Sequence, residues 1–169
     1  MLLAAESHER LERFFREHFG DSGLRLPPLF FYRSRLLLWL GRPFHLGAIT
    51  FGRRIFVLPE YVKRDMLGRL SIRGSIAAHE ATHVLQYERE GWVRFFTLYL
   101  RGYWRALRAQ GRVSGAAHMA AYLAIREEQE AHEAEEAYAS RYERWKKEKQ
   151  DVLVNSDSNA KDAKYIAKE

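Results

Sequence analysis

Cysteine is absent from the 169 residues. No disulfide can form, and any metal must be held by His and carboxylates. Proline occurs only four times, and the adjacent pair Pro27-Pro28 forbids a helix there and favours extended chain. No window of 18 apolar residues exists: the runs Leu36–Leu40 and Phe95–Leu100 are too short to span a bilayer and are flanked by arginine. The start, Met1-Leu2-Leu3-Ala4-Ala5, has no basic residue and is followed by Glu6, His8, Glu9 and Arg10, unlike a secretory signal. A cytoplasmic protein is expected.

What is present suits one compact domain. Hydrophobic residues make up 47% and charged residues 30%, with four Trp, nine Tyr and ten Phe to fill a core. The net charge of +6 is lopsided: residues 1–78 hold 13 Arg/Lys and 7 Asp/Glu, whereas residues 79–169 hold 15 of each. Such a basic half can favour phosphate-rich polymers or membrane surfaces. The blander reading, a solvated arginine-rich surface, is adopted, and no specific nucleic-acid partner is expected.

Along the chain, Leu11, Phe14, Phe15, His18 and Phe19 recur at helical spacing, predicting an amphipathic helix over residues 2–19. Gly20-Asp21-Ser22-Gly23 stops it, and a linker runs to residue 28. Residues 29–58 read as β-rich. Within residues 47–57, Ile49, Phe51, Ile55 and Val57 fall on one face of a strand, and Pro59 ends it. A short helix or turn is expected over 61–69. Residues 71–90 form a helix carrying Ile72, Ile76, His79, His83 and Tyr87 at spacings of four, three, four and four, closed by Gly91. Another helix covers 92–108, and Gln110–Gly115 reads as a loop. A long helix covers 116–149, and 150–169 reads as a flexible charged tail.

His79-Glu80-Ala81-Thr82-His83 has the form His-Glu-x-x-His. On a helix, residues i and i+4 share a face, so the two imidazoles can converge on one metal ion. Glu80 lies about 100° round the helix from His79. It reaches the side of the ion where water binds and can take a proton from water acidified by the metal. Ala77, Ala78 and Ala81 are small, so another backbone can come close.

A catalytic zinc needs a third protein ligand. Ala117, Ala121, Ala124, Glu128, Ala131, Glu135, Tyr138, Tyr142 and Trp145 alternate by four and three, which makes one continuous helical face. Glu128 sits in its middle. A carboxylate there is costly to bury unless paired or bound to a cation. Glu128 is the candidate ligand, with Glu127 and Glu130 as alternatives. His132, one turn on, could orient a ligand. His8, His18, His45 and His118 read as structural or exposed, His118 alone lying where substrate contact is conceivable.

The segment Ala78-His79-Glu80-Ala81-Thr82-His83-Val84-Leu85-Gln86 resembles the His-Glu-x-x-His-x-x-Gln core of bacterial zincin-like domains, some of them found beside contractile, phage-tail-like injection systems. Gly47-Ala48-Ile49-Thr50-Phe51-Gly52-Arg53 resembles the Gly-Ala-x-Thr-x-Gly strand ahead of the active helix in such proteins. Tyr122–Ala131 resembles their later acidic segment, and the likeness covers about residues 45–135. In glutamate-type zincins the third ligand is a Glu on a later helix, often with Ala and Asp three and four residues beyond. Glu128 takes that place here and Ala131 matches, while His132 stands where Asp is common and Arg126 replaces a Pro.

The resemblance implies an α+β fold, a minimal zincin-like metallopeptidase domain with a small twisted sheet packed on an active-site helix and closed by further long helices. Residues 1–149 would be one domain. Zinc would be the cofactor, held by His79, His83 and Glu128, with Glu80 as general base and a peptide or protein as substrate. Gln86, His132, Tyr122 and His118 become candidates for contacts behind the ligands or with substrate, Tyr122 or His118 facing the oxyanion. Release of the protein by a secretion or phage-like system would fit the same likeness.

Two rival readings exist. In one, the metal staples a non-enzymatic interaction or assembly module. In the other, Phe95, Phe96, Tyr99 and Leu100 with Arg94, Arg101, Arg105 and Arg108 lie on a membrane surface. The aromatic pattern reads first as a buried face, so membrane contact is not expected.

Overall fold

Leu11, Phe14 and Phe15 form the buried side of helix α1, Ala5–His18. It begins later than residue 2 because Leu2 is engaged in an isolated bridge with Phe30. The computed structural model describes residues 2–35, 47–64, 70–111 and 114–166, the side chains of residues 70, 149 and 151–166 excepted. The Leu36–Leu40 run, His45 and residues 65–69 lie outside the described residues.

After Pro27-Pro28 the chain enters β1, Phe30–Arg33. Residues 47–57 are not one strand but a hairpin, β2 Ala48–Phe51 and β3 Arg54–Val57. Gly52 turns it with φ of 56°, in the left-handed region that tight hairpin turns need, and a Cβ there would lie 2.8 Å from the Trp92 ring. The turn reverses side-chain parity. Thr50 pairs with Ile55 and Ala48 with Val57 on one face, while Ile49 pairs with Phe56 and Phe51 with Arg54 on the other. Ile49 and Phe51 therefore do not share a face with Ile55 and Val57. β1 runs parallel to β3, giving among the described residues the order β1-β3-β2 with β2 at an edge.

Pro59 ends β3 as expected, through a single 3-10 turn, Pro59–Tyr61. Of the short helix or turn expected over 61–69, residues 65–69 lie outside the described residues, while Val62–Arg64 form β4, antiparallel to β5, Leu70–Ile72. That pairing consumes Ser71 and Ile72, so helix α2 starts at Gly74 and runs to Glu90, with Gly91 closing it. Helix α3 is Trp92–Ala109 and α4 is Gly115–Leu123, capped by the Ser114 hydroxyl on the Ala117 amide.

The long helix expected over 116–149 is two helices. α4 ends at Leu123, and α5 runs from Arg126 to Ile166. No Pro or Gly marks the break. Its cause is tertiary: Ile125 turns into the core with no exposed surface, while Ala124 is exposed. The break also joins Tyr122 to Glu128. Six residues apart, the two would stand about 120° apart on a straight helix. Beyond Lys149, where composition suggests a flexible tail, the backbone continues helically to Ile166. Residues 126–166 contain no Pro or Gly to interrupt the i to i−4 ladder.

The chain is α+β, with five α-helices, a three-stranded sheet and a two-stranded sheet among the described residues. Its main core joins α1, β1, β3, α2 and α5 through Phe14, Phe15, Phe31, Ile55, Val84 and Tyr138. α2 lies along α5. The approach is close enough that a Cβ on Gly74 would meet the Tyr138 ring at 2.7 Å. Ala77, Ala78 and Ala81 on α2, with Ala131 and Ala134 on α5, are buried, which is how the two backbones come near. Among the described residues no helix is long and apolar enough to cross a membrane.

Candidate metal centre

α2 carries His79, Glu80 and His83 on its buried side, each at most 7% exposed. α5 brings Glu128, 3% exposed, to the same point. His79 Nε2 lies 3.6 Å from Glu128 Oε2, and His83 Nε2 lies 3.5 Å from Glu128 Oε1. These separations are longer than hydrogen bonds. They match the distance of about 3.4 Å between donors that sit about 2.1 Å from one tetrahedral zinc. All three donors fall within 4.8 Å of one another. The residues present therefore fit a divalent cation. Of the alternatives, Glu130 turns its carboxylate to Gln86 and Arg89. Glu127 offers its backbone carbonyl to Gln86.

Each imidazole is oriented from behind. The buried Gln86 donates from Nε2 to the Glu127 carbonyl at 3.0 Å and to Glu130 Oε2 at 3.0 Å. Its amide nitrogen is thus committed, and its oxygen accepts from His83 Nδ1 at 2.8 Å. That arrangement keeps a proton on His83 Nδ1, so Nε2, which faces Glu128, is the atom that would bind a metal. Arg89 steadies the far end, gripping Glu130 with both guanidinium nitrogens at 3.0 Å. Gln86→Ala is expected to weaken zinc binding about 10- to 100-fold, the usual cost of losing such support. Competition with a chelator of known affinity measures it.

Behind His79 stands Glu135, which shares the helical face of Glu128 and has no role in the sequence reading. Its Oε2 is 3.2 Å from His79 Nδ1, within ion-pair range but off the line of a hydrogen bond. His132 reaches the same oxygen at 3.6 Å and sets its ring edge-on to His79, with centroids 4.8 Å apart. His132 thus touches both His79 and Glu135.

Glu128 is held in turn by two phenols. Tyr122 donates to Oε2 at 2.5 Å and Tyr99 to Oε1 at 2.8 Å. Burial and the Glu128 charge push both phenols well above their ordinary range, so both stay protonated and donate. Tyr122 was a sequence candidate. Tyr99 was not, although its place on the inward face of α3 was visible in the helical pattern. His118 is elsewhere: its Nδ1 lies 2.5 Å from the Tyr103 hydroxyl, and it does not line the cavity over the cluster.

The charges are coupled. Burial pushes the His79 pKa down, but the carboxylates of Glu128, Glu135 and Glu80 override it and raise it to about 10. His83 is also raised, burial being overridden by Glu128. Burial would raise Glu128, yet the two imidazoles and the Tyr122 hydroxyl hold its carboxyl far below the usual range. Without metal, the carboxylates favour the protonated imidazoles and the imidazoles favour an ionised Glu128.

No family model, curated protein or solved structure matches this chain. What it does must be read from the site.

Glu80 does not pair with Glu128 or the imidazoles. Its Oε2 accepts from the Thr50 hydroxyl at 2.6 Å, so the edge strand β2 fixes the carboxylate. Tyr87 ties Thr50 in turn, donating to its carbonyl at 3.1 Å. A cavity of about 210 Å³ opens over the cluster, with Ile49, Phe51, Phe95 and Phe96 among its walls and His79, Glu80, His83 and Glu128 at its polar end. A larger cavity of about 570 Å³ lies among α1, the start of α2 and α5, and holds no His/Glu cluster.

Proposed function

We propose that this chain is a zinc-dependent metallopeptidase of the glutamate type, built as a minimal zincin-like domain. The observation that carries this reading is the convergence of His79 Nε2, His83 Nε2 and the Glu128 carboxylate at separations of 3.5–3.6 Å beside a cavity. Zinc, when bound, lowers the pKa of a water ligand to about 7 and polarises a carbonyl. His79, His83 and Glu128 would hold it, leaving the cavity side open for a catalytic site rather than a closed structural one.

Glu80 is the general base. It takes a proton from the attacking water and delivers it to the leaving amine. Thr50 keeps the carboxylate aimed, and Phe51, Phe95 and Phe96 give the cavity apolar walls beside it. Tyr122 and Tyr99 hold Glu128, so Tyr122 is a positioning residue rather than an oxyanion donor in this arrangement. β2 is an edge strand along the cavity, and an extended peptide could add to it as a further strand.

The reading is tested by metal analysis beside turnover of a quenched peptide library. One zinc per chain and chelator-sensitive cleavage are expected. Absence of zinc after loading, or cleavage unaffected by its removal, overturns it. Thr50→Val gives a finer check. It removes the Glu80 anchor while keeping shape, and turnover should fall roughly tenfold, the scale of one lost hydrogen bond to a charged group, with zinc content unchanged.

A further inference from the structure

Helix α3 turns a second face to solvent that the site does not use. Val93, Leu100 and Trp104 are 82%, 52% and 53% exposed. They fall within about 40° of one another around the helix, forming a ridge. Thr97 lies on the same line, and its hydroxyl bonds back to the Val93 carbonyl at 2.7 Å, so it adds no unmet polar group. The aromatic residues of α3 next to the site face the other way: Phe95 is buried, and Phe96 and Tyr99 are half-buried.

Beside the ridge runs a row of exposed arginines, Arg94, Arg101, Arg105 and Arg108. No residue of α3 is acidic. Arg94 pairs with Glu90 of α2 at 2.9 Å. Among the described residues no carboxylate pairs with Arg101, Arg105 or Arg108.

We propose that this face of α3 docks on an anionic lipid surface, with Val93, Leu100 and Trp104 entering the acyl boundary and the arginines resting on headgroup phosphates. An apolar ridge flanked by unpaired cations is the chemistry of an interfacial helix. Two other occupants fit less well. A second copy joined across a two-fold axis would face one arginine row with another and offer no acid from α3. A nucleic acid would reward the arginines but leave the ridge exposed. Phe96 borders the ridge and also walls the cavity, so docking would hold the cavity mouth close to the bilayer.

The test is co-sedimentation of the full chain with neutral phosphatidylcholine vesicles and with vesicles containing a quarter phosphatidylserine. Binding to the anionic vesicles at low salt, weakened by salt, with a blue shift of tryptophan emission, is expected. Arg101→Glu/Arg105→Glu/Arg108→Glu should weaken binding by at least about a hundredfold, on the scale of about fivefold per arginine at such a surface. Arg13→Glu/Arg33→Glu/Arg144→Glu alters exposed arginines elsewhere by the same net charge and should retain most of the affinity. Val93→Ser/Leu100→Ser/Trp104→Ser should abolish the emission shift. Failure of the wild-type chain to bind anionic vesicles at low salt overturns the proposal. So does equal loss in the two charge-reversed variants, or a dimer that the serine variant dissolves without any vesicle binding. None of these readouts depends on zinc or peptidase activity.

Discussion

Glu80→Gln is expected to keep its zinc and to lose turnover by a factor of about 10²–10⁴, the range a positioned general base contributes. The separation of the two effects follows from where the side chain sits. Glu80 is bonded to Thr50 of β2 at 2.6 Å and is not part of the His79, His83 and Glu128 cluster. Glutamine has the same shape, and its oxygen can still accept from Thr50. It cannot accept a proton from water at neutral pH. Zinc stoichiometry should stay at one and affinity should change less than about tenfold, since one neighbouring charge is lost but no donor atom. Cleavage of a verified substrate by the variant at the wild-type rate would remove Glu80 from the chemistry.

Glu128→Ala carries the second large effect, on metal and on stability together. The variant should bind no stoichiometric zinc, because two imidazoles alone leave the ion without its third protein ligand. In the metal-free protein, the change strands two buried imidazoles and two phenol hydroxyls that now share one carboxylate. Breaking a buried pair of this kind costs about 3–5 kcal/mol, or roughly 10 °C in Tm for a domain of this size.

The effect depends on pH in a defined direction. The pKa of His79 is raised to about 10 in the folded protein, so its contribution is complete below its ordinary value and fades as pH rises through about 10. Glu128 is lowered, so its contribution is present above the ordinary carboxylate value and fades as pH falls below it. The gap between the metal-free wild type and Glu128→Ala should therefore be widest between about pH 4.5 and 6.5 and narrow above pH 10. Since His79 is protonated at pH 7, zinc must displace at least about one proton per ion. Calorimetry in buffers of different ionisation enthalpy reads that number. Zinc binding without proton release would show that the imidazoles are neutral beforehand.

Much of this site was visible in one dimension because helical geometry is periodic. His79 and His83 are bound to share a face, whatever the rest of the fold does. Glu128 could be picked out because a carboxylate amid alanines is expensive to bury alone. The same periodicity misled where tertiary contacts interrupt it. Glu128 and Tyr122 looked like members of one unbroken helix, yet burial of Ile125 breaks the helix between them and lets both point at the centre. Alternation over 47–57 suggested one strand, because a two-residue turn at Gly52 is short enough to hide inside the pattern. Past residue 149, where the composition changes, the backbone of α5 is helical to Ile166.

By itself, the sequence of this protein determined the donor chemistry: no thiol, two imidazoles one turn apart, a carboxylate beside them, and an acid-rich helix to complete the set. Local rules suffice for that, since spacing along a helix sets which side chains can meet. That Glu128 is the acid facing the imidazoles, that Glu135 stands behind His79, and that β2 holds Glu80 were decided only by the packing of α2 against α5 and β2. Those contacts join residues 30 to 56 positions apart, and no local periodicity encodes them.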